Sequence, residues 1–290
     1  MQKQIRPRRS MLYMPGANAR ALEKARELPA DGLIFDLEDA VLPDAKAAAR
    51  ETIRAALRAG GYGGRELILR VNGLATEWGE DDLRLAATLP IDGVLLPKVD
   101  SGDEISRAER LLRRASAPDH VAIWAMMETP LGILQSAEIA AASGRLAGLV
   151  MGTSDLVKDL RARHTPDRLP LAASLGLAVL AARANGLAII DGVHLDLDDE
   201  AGFEAACRQG RDFGFDGKSL IHPKTIEAAN RIFGPSADEI AAARRTIAGF
   251  EEARAAGKGV VLVDGRLVEQ LHVDEARRVI ALAGAIEFQS

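Results

Sequence analysis

Two carboxylic acids come soon after short apolar runs, where an α/β enzyme places its reactive groups. Residues 121–127 are apolar and end at Glu128, and a second apolar run is followed within a few residues by Asp155. Because two nearby carboxylates repel each other unless a cation lies between them, the pair predicts a site for a hard metal ion such as Mg²⁺. Gly152 and Thr153, just before Asp155, would give a substrate close access to the backbone.

An arginine ends a third apolar run, and two more acids follow a fourth. Arg70 comes after residues 67–69, and Glu38 and Asp39 come shortly after residues 33–35. A guanidinium at a barrel mouth can bind a carboxylate through two hydrogen bonds or stabilise a developing enolate oxygen. The two acids could pair with Arg70 or hold the waters of a metal ion. Together these groups indicate an anionic substrate.

Other polar residues at strand ends have alternative interpretations. Lys98 is a candidate Schiff-base lysine, but the paired acids nearby weaken this hypothesis because a metal ion would already supply the electrophile. Asp191 and His222 are expected to be structural groups at the rim, and His164 lies in a loop.

These residues need parallel strands to bring them together. Eight short apolar runs alternate with Ala-rich amphipathic stretches, as expected for strands buried on both faces. Their number over about 220 residues predicts a (β/α)8 TIM barrel, with a doubly wound open sheet as the alternative. The predicted strands cover 10–14, 32–37, 67–72, 93–99, 121–128, 146–152, 187–193 and 217–222, and predicted helices include 18–28, 44–58, 103–115, 130–142 and 169–185.

The β/α pattern stops after residue 223. Ser236 and Glu239 form the S-x-x-E pattern of a capping box, which predicts a helix to about residue 256. A short apolar run, a turn and a last helix around 274–283 follow. The sequence therefore predicts a catalytic barrel over 1–232 and a helical C-terminal extension over 233–290 that packs on the barrel or on a neighbouring subunit.

Composition narrows the class of protein. The 290 residues carry a formal net charge of −5, which gives no reason to expect nucleic-acid binding. No apolar run approaches the length of a membrane span. The single cysteine, Cys207, fits a reducing cytosol and a buried position in a predicted helix over 200–213, so we expect a cytoplasmic protein. The basic stretch Arg6, Arg8 and Arg9 indicates a solvated end or a means of attracting a phosphorylated ligand.

Several segments resemble the citrate lyase β-subunit-like CoA-ester lyases of the HpcH/HpaI aldolase group. The resemblance extends in order from about Arg9 to Ala283. It implies a Mg²⁺-dependent barrel, in which Mn²⁺ can substitute, and a homo-oligomer that is commonly a trimer. The segments that carry it are 9–16, 34–41, 70–73, 127–130 and 217–223.

The same motifs imply roles for particular residues. Glu128 and Asp155 would be the metal ligands, and Arg70 would bind the thioester oxygen or a substrate carboxylate. Glu38 and Asp39 would lie beside metal-bound water.

The resemblance also implies a CoA site near the first strand and helix, with contacts from Tyr13, Arg20 and Lys24. In this family an aspartate of the C-terminal segment typically donates a proton to the enolate carbon in a neighbouring subunit's site. Here Glu269 stands at that position, and its extra methylene moves the carboxyl by about an ångström. This departure affects the carbon-centred step.

The leading interpretation is a lyase that splits a β-hydroxyacyl-CoA such as malyl-CoA, citramalyl-CoA or citryl-CoA by retro-Claisen chemistry, giving acetyl-CoA and a 2-ketoacid or oxoacid. A first alternative is a malyl-CoA-type thioesterase that uses the same metal site. A second is a citrate lyase β-subunit that acts on a substrate held by an acyl-carrier-protein partner.

Overall fold

The computed structural model describes residues 5–289, which divide into two compact units. One unit covers residues 8–230, and the other consists of residues 231–289 together with 5–7. The first unit contains the predicted barrel strands, and the second contains most of the C-terminal segment.

The first unit is a closed barrel of eight parallel strands in chain order. The last strand pairs with the first, with Ser10 opposite Lys218, so the sheet has no free edge. This confirms the (β/α)8 prediction over the open sheet. The strands are β1 (Ser10–Pro15), β2 (Gly32–Asp36), β3 (Glu66–Arg70), β4 (Gly93–Leu96), β5 (Ala122–Met127), β6 (Leu146–Met151), β7 (Ala188–Asp191) and β8 (Gly217–Leu220).

Helices connect consecutive strands, and their predicted starts agree with the observed caps. Asn18 accepts a hydrogen bond from the N–H of Ala21, and Thr129 accepts one from the N–H of Gly132. The predicted helix 130–142 is divided at Gln135. The helices are α1 (Ala19–Lys24), α2 (Lys46–Ala59), α3 (Gly79–Ala86), α4 (Gly102–Arg114), α5 (Pro130–Leu134), α6 (Ser136–Ala141), α7 (Thr153–Asp159), α8 (Ala172–Ala184) and α9 (Glu200–Phe213).

The barrel interior is packed around Trp124, which is fully buried on β5. On the neighbouring strand, Gly148 lies directly against the indole ring, and a Cβ atom there would overlap it. The glycine therefore makes room for the largest side chain of the core. The other members of this buried cluster are Met11, Ile34, Ile68, Leu95, Met126, Val150 and Ile190.

The basic stretch before β1 is not a solvated end. Arg8 donates to both carboxylate oxygens of Glu66, over 2.6 and 2.9 Å, and Arg9 donates to Asp31 over 2.7 and 2.8 Å. Both acids lie where β2 and β3 begin, at the opposite end of the barrel from the C-terminal strand ends. These ion pairs favour a structural role for Arg8 and Arg9.

The second unit contains two long helices and a hairpin. Helix α11 (Ala237–Ala255) begins with the predicted capping box of Ser236, after α10 (Ile226–Phe233). Strands β9 (Val261–Val263) and β10 (Arg266–Val268) pair antiparallel, and α12 (Gln270–Gln289) is longer than predicted.

Buried side chains from these elements share a small core of Phe250, Val268 and Val273. In the part of the chain that the structure describes, no helix is both long enough and apolar enough to cross a membrane.

Replacing Gly148 by alanine should destabilise the barrel, because its methyl group would overlap the Trp124 ring. We expect a loss of about 1–3 kcal/mol in the free energy of unfolding, typical of an overpacked core. Gly176 provides the control: it lies within α8, and a Cβ atom there meets nothing within 4 Å. Gly176→Ala should be neutral or stabilising. The measurement is urea unfolding monitored by circular dichroism. Equal midpoints for wild type and Gly148→Ala would contradict the packing argument.

Candidate active site

Charged side chains gather at the C-terminal ends of five consecutive strands. This is the end of a (β/α)8 barrel at which active sites are built. Arg70 ends β3, and Glu128 directly follows β5. The other members are Asp36, which ends β2, Glu38 and Asp39 just after it, Lys98 after β4, and Asp155 after β6.

Arg70 is fixed by carboxylates and by an aromatic ring. Its Nε and Nη2 atoms donate to the two oxygens of Asp36 over 2.7 and 2.5 Å, and Nη1 lies 2.8 Å from Glu38 Oε2. The guanidinium lies 4.8 Å from the centre of the Tyr13 ring. Burial acts to lower the pKa of Arg70, but the hydrogen bonds to Asp36 and the surrounding charges raise it overall. The side chain is therefore a permanent, oriented cation.

The role of Asp36 was missed from the sequence. Sequence reasoning considered Glu38 and Asp39 as partners of Arg70, and both are near it, with Asp39 Oδ2 at 3.8 Å. The two-oxygen partner is instead Asp36, which lies opposite Arg70 in the register of β2 and β3. Adjacent strands that both end in a charged residue of opposite sign were the signal available for this pair.

Lys98 joins the acids on either side of it. Its Nζ atom lies 2.5 Å from Glu38 Oε1 and 3.7 Å from Asp155 Oδ2. Burial acts to lower the pKa of Lys98, but its hydrogen bond to Glu38 and the nearby negative charges raise it overall. A Schiff-base lysine must instead lose its proton readily. The geometry therefore opposes the Schiff-base alternative.

Glu128 is 2% exposed and is held from two sides. Its Oε1 atom accepts a hydrogen bond from the backbone N–H of Lys98 over 2.7 Å. Its carboxyl group also packs against Gly152, where a Cβ atom would overlap it. Burial raises the pKa of Glu128 to about 7, although the charge and hydrogen bond of Lys98 oppose the rise. A buried acid of this kind gains from a cation beside it.

Asp155 comes a few residues after the end of β6. It lies in the first turn of α7, with its side chain about a third exposed. Thr153, predicted as a backbone contact for the substrate, is buried, and its side chain lies against Gly192 after β7. The helix start places the Asp155 carboxylate beside Lys98 at the barrel mouth.

The donor set fits a hard divalent cation. Glu128 and Asp155 offer only carboxylate oxygens, and an ammonium group already occupies the space beside Asp155. Mg²⁺ commonly takes one or two protein carboxylates and leaves its remaining positions to water and substrate. Within residues 5–289, no three His, Cys, Asp or Glu side chains are grouped to hold a metal ion together. A site here would therefore rely on two protein carboxylates.

The residues predicted to contact CoA, and Glu269, lie on several different elements. Tyr13 packs inside the barrel beneath Arg70, with its hydroxyl 3.7 Å from Met126 Sδ, whereas Arg20 and Lys24 are exposed on α1. Glu269, in the second unit, lies between β10 and α12, and its backbone N–H donates to His272 Nδ1.

A second buried ion-pair network lies where the end of β7 pairs with β8. Asp191 is fully buried and accepts two hydrogen bonds from Arg168 and one from Lys218. Burial acts to raise the pKa of Asp191, but these two cations lower it overall. The expectation of a structural group at the rim agrees with this geometry.

The structure also agrees with the sequence-based interpretations of His222, His164 and Cys207. His222 is exposed after β8 and accepts from the N–H of Lys224, and His164 is an exposed loop residue. Cys207 is buried on α9, which raises the pKa of its thiol to about 12. A thiol of this kind is not a reactive nucleophile.

The fold and site together define a barrel enzyme with an oriented arginine and a group of acids at its mouth. The model of the HpcH/HpaI aldolase/citrate lyase family matches residues 9–223, and the chain belongs to this family.

Two curated relatives span nearly the whole chain. A (3S)-malyl-CoA thioesterase of Cereibacter sphaeroides (strain ATCC 17025) is 53% identical, over 99% of this chain and 98% of the relative. The citrate lyase subunit beta of Escherichia coli (strain K12) is 38% identical, over 97% of this chain and 95% of the relative. These relatives place the chain among enzymes of the CoA-ester lyase and thioesterase class.

Solved structures show the same architecture. CitE from Mycobacterium tuberculosis, in complex with magnesium, acetoacetate and coenzyme A, superposes with a TM-score of 0.77. It is 29% identical, and the match covers 95% of this chain and 97% of that one. The citrate lyase beta subunit from the same organism, complexed with oxaloacetate and magnesium, gives a TM-score of 0.68 at 28% identity, over 81% of this chain and 100% of that one.

The raised pKa of Glu128 predicts a pH-dependent cost to stability in metal-free protein. Below the ordinary pKa of 4.5 the carboxyl is protonated in both folded and unfolded chains, so it costs nothing. Between 4.5 and about 7 the unfolded chain ionises first, and wild-type stability falls until the full cost is reached above 7. Glu128→Gln removes this term. Its advantage over wild type should grow by about 2–3 kcal/mol between pH 5 and pH 8.

The measurement is urea unfolding of both proteins in the presence of a chelator, at several pH values. A variant whose stability relative to wild type does not change with pH would contradict the raised pKa.

Proposed function

We propose that this protein is a Mg²⁺-dependent thioesterase that hydrolyses a malyl-CoA-type ester to the free hydroxy acid and CoA. The observation that carries the proposal is the 53% identity to a (3S)-malyl-CoA thioesterase along 99% of the chain. The complete set of Arg70, Glu128 and Asp155 at the barrel mouth supports it, because these groups fit an anionic thioester and a cation.

The metal proposal depends on the chemistry of the donor set. Glu128 and Asp155 would hold Mg²⁺, or Mn²⁺ in its place, and Glu38 and Asp39 would lie around its waters. Magnesium in the CitE complex from Mycobacterium tuberculosis supports this assignment. When bound, the ion would act as a Lewis acid toward oxygen atoms of the acyl group.

Arg70 would stabilise negative charge on the thioester oxygen. Two of its nitrogens are committed to Asp36, and Nη1 is shared between Glu38 and a contact of 3.8 Å to Met126 Sδ. Thioether sulfur is a weak hydrogen-bond acceptor. A substrate oxygen could therefore replace Met126 as the partner of Nη1 without breaking the Asp36 pair, which would keep the guanidinium oriented.

Hydrolysis and carbon–carbon cleavage make the same demand on Arg70. Attack of water on the thioester places negative charge on its oxygen, and so does formation of the enolate in a retro-Claisen step. The group that acts next distinguishes the two reactions. Cleavage needs a proton donor at the enolate carbon, and Glu269 stands where the family typically has a shorter aspartate. This departure favours hydrolysis.

Carbon–carbon cleavage is the second candidate. The 38% identity to a citrate lyase subunit beta favours it, since the two chains match over nearly their whole lengths. The substrate would be malyl-CoA, citramalyl-CoA or citryl-CoA, giving acetyl-CoA and a ketoacid. In the subunit version of this candidate, an acyl-carrier-protein partner would deliver the acyl group.

The proposed surroundings of the site follow from the family resemblance. Arg20 and Lys24, both exposed, would bind the phosphates of CoA, whereas Tyr13 would support Arg70 from below. We propose a cytoplasmic homo-oligomer, commonly a trimer in this family, with the barrel over 1–232. The extension over 233–290 would then carry Glu269 to a neighbouring subunit's site.

Product identity tests the proposed reaction. Purified protein with Mg²⁺ should release free thiol from malyl-CoA without forming ketoacid, and Glu128→Ala should lose this activity. Ketoacid formation without thiol release would overturn the thioesterase in favour of the lyase. Turnover only of an acyl-carrier-protein substrate would favour the subunit role. A panel of malyl-CoA, citramalyl-CoA and citryl-CoA, assayed for both products in parallel, separates these outcomes.

Arg20→Ala and Lys24→Ala test the CoA contacts. If their charges bind phosphate groups remote from the reacting bond, KM should rise about 3- to 10-fold while kcat stays near wild type. Arg58→Ala is the matched control, since Arg58 is equally exposed but lies in the last turn of α2, at the other end of the barrel. A KM unchanged in both test variants would contradict the assignment.

A further inference from the structure

Lys98 lies among the acids that would hold a divalent cation. Its Nζ atom is 2.5 Å from Glu38 Oε1, 3.7 Å from Asp155 Oδ2 and 3.9 Å from Asp39 Oδ2. Its backbone N–H donates to Glu128 Oε1. One residue therefore contacts both proposed metal ligands, Glu128 through the main chain and Asp155 through the side chain.

The backbone at this position supports a specific role for the residue. Lys98 has a φ of 49°, in the left-handed region that glycine adopts more easily than a residue with a Cβ atom. This conformation directs the N–H toward Glu128, a task that glycine could perform without strain. The side chain therefore adds something that the main chain does not supply, and its ammonium contacts indicate what that is.

We propose that Lys98 is a positioning residue that sets the affinity of the site for divalent cations. Its ammonium group serves as an internal counter-ion of the acidic cluster, and a divalent cation binds by displacing it from Asp155. The inference rests on the proposed metal dependence. Glu38 retains the displaced ammonium beside the site, because that ion pair is the shortest that Lys98 makes.

Electrostatics explains why removing the Lys98 ammonium should strengthen cation binding. Arg70 offsets part of the charge of Glu38 and Asp39, but without the Lys98 ammonium these two carboxylates and Asp155 would repel one another across a partly buried mouth. With the ammonium present they are stabilised, but an incoming divalent cation must compete with this positive charge. In a solvent-screened site this repulsion corresponds to about 5- to 20-fold in cation affinity.

The test measures binding of Mn²⁺ alone, without substrate. Chelator-treated protein is titrated with Mn²⁺, and the free ion is followed by electron paramagnetic resonance. Lys98→Met removes the charge but keeps the Cβ atom and the N–H donated to Glu128. Its Kd should be about 5- to 20-fold lower than that of wild type. Lys98→Arg keeps the charge, so its Kd should remain nearer to wild type than to Lys98→Met.

Lys158→Met is the matched control for loss of a nearby positive charge. Lys158 lies on α7, three residues after Asp155, with its side chain 78% exposed. Because solvent screens it, its removal should change the Kd by less than twofold. An equal gain in both lysine variants would overturn the inference, since it would reflect net charge alone.

Two other outcomes separate the inference from the proposed function. If wild type binds Mn²⁺ and Lys98→Met binds it equally or more weakly, the counter-ion role is overturned while the metal site survives. If wild type binds no Mn²⁺, both fail. Thermal unfolding confirms that each variant is folded, and Lys98→Gln takes the place of Lys98→Met if that variant does not fold.

Discussion

The charged mouth of the barrel depends on the ion pair between Asp36 and Arg70. The two residues lie opposite each other at the ends of β2 and β3, so the register of the sheet itself brings them together. Both are nearly inaccessible to water, and a buried charge that loses its partner is strongly destabilising. Glu38 extends the pair to Lys98, and the backbone of Lys98 reaches Glu128. Each side chain in this network is therefore held in a fixed orientation by its contact with the next one.

This network also explains how one site could serve an anionic thioester. A cation that stabilises negative charge developing in a transition state is most effective when it is already oriented before that charge forms. Asp36 and the Tyr13 ring orient Arg70, while Met126 is a weak partner that a substrate oxygen could replace. The buried carboxyl of Glu128, whose pKa is about 7, is the complementary group, because a cation beside it would stabilise its charged form.

The barrel and several members of the site could be predicted because short-range patterns encode them. Apolar runs that end in Arg70 and Glu128 identify both the strands and the rim. Long-range pairs could not be predicted in this way: Arg8 is paired with Glu66, 58 residues away, so its apparently solvated basic stretch is structural. The position of Lys98 depends on a left-handed backbone conformation that the preceding sequence does not signal.

The reaction itself depends on more than the barrel. A guanidinium and a cation that stabilise charge on a thioester oxygen favour any reaction in which that charge develops, so they select the substrate class and not the bond that breaks. That choice needs a group acting on carbon or on water. The resemblance assigns the carbon-directed role to the position of Glu269, in the second unit, where a methylene longer than aspartate changes the reach of the carboxyl. Hydrolysis and carbon–carbon cleavage therefore make the same demand on the barrel mouth and differ in the group that acts next.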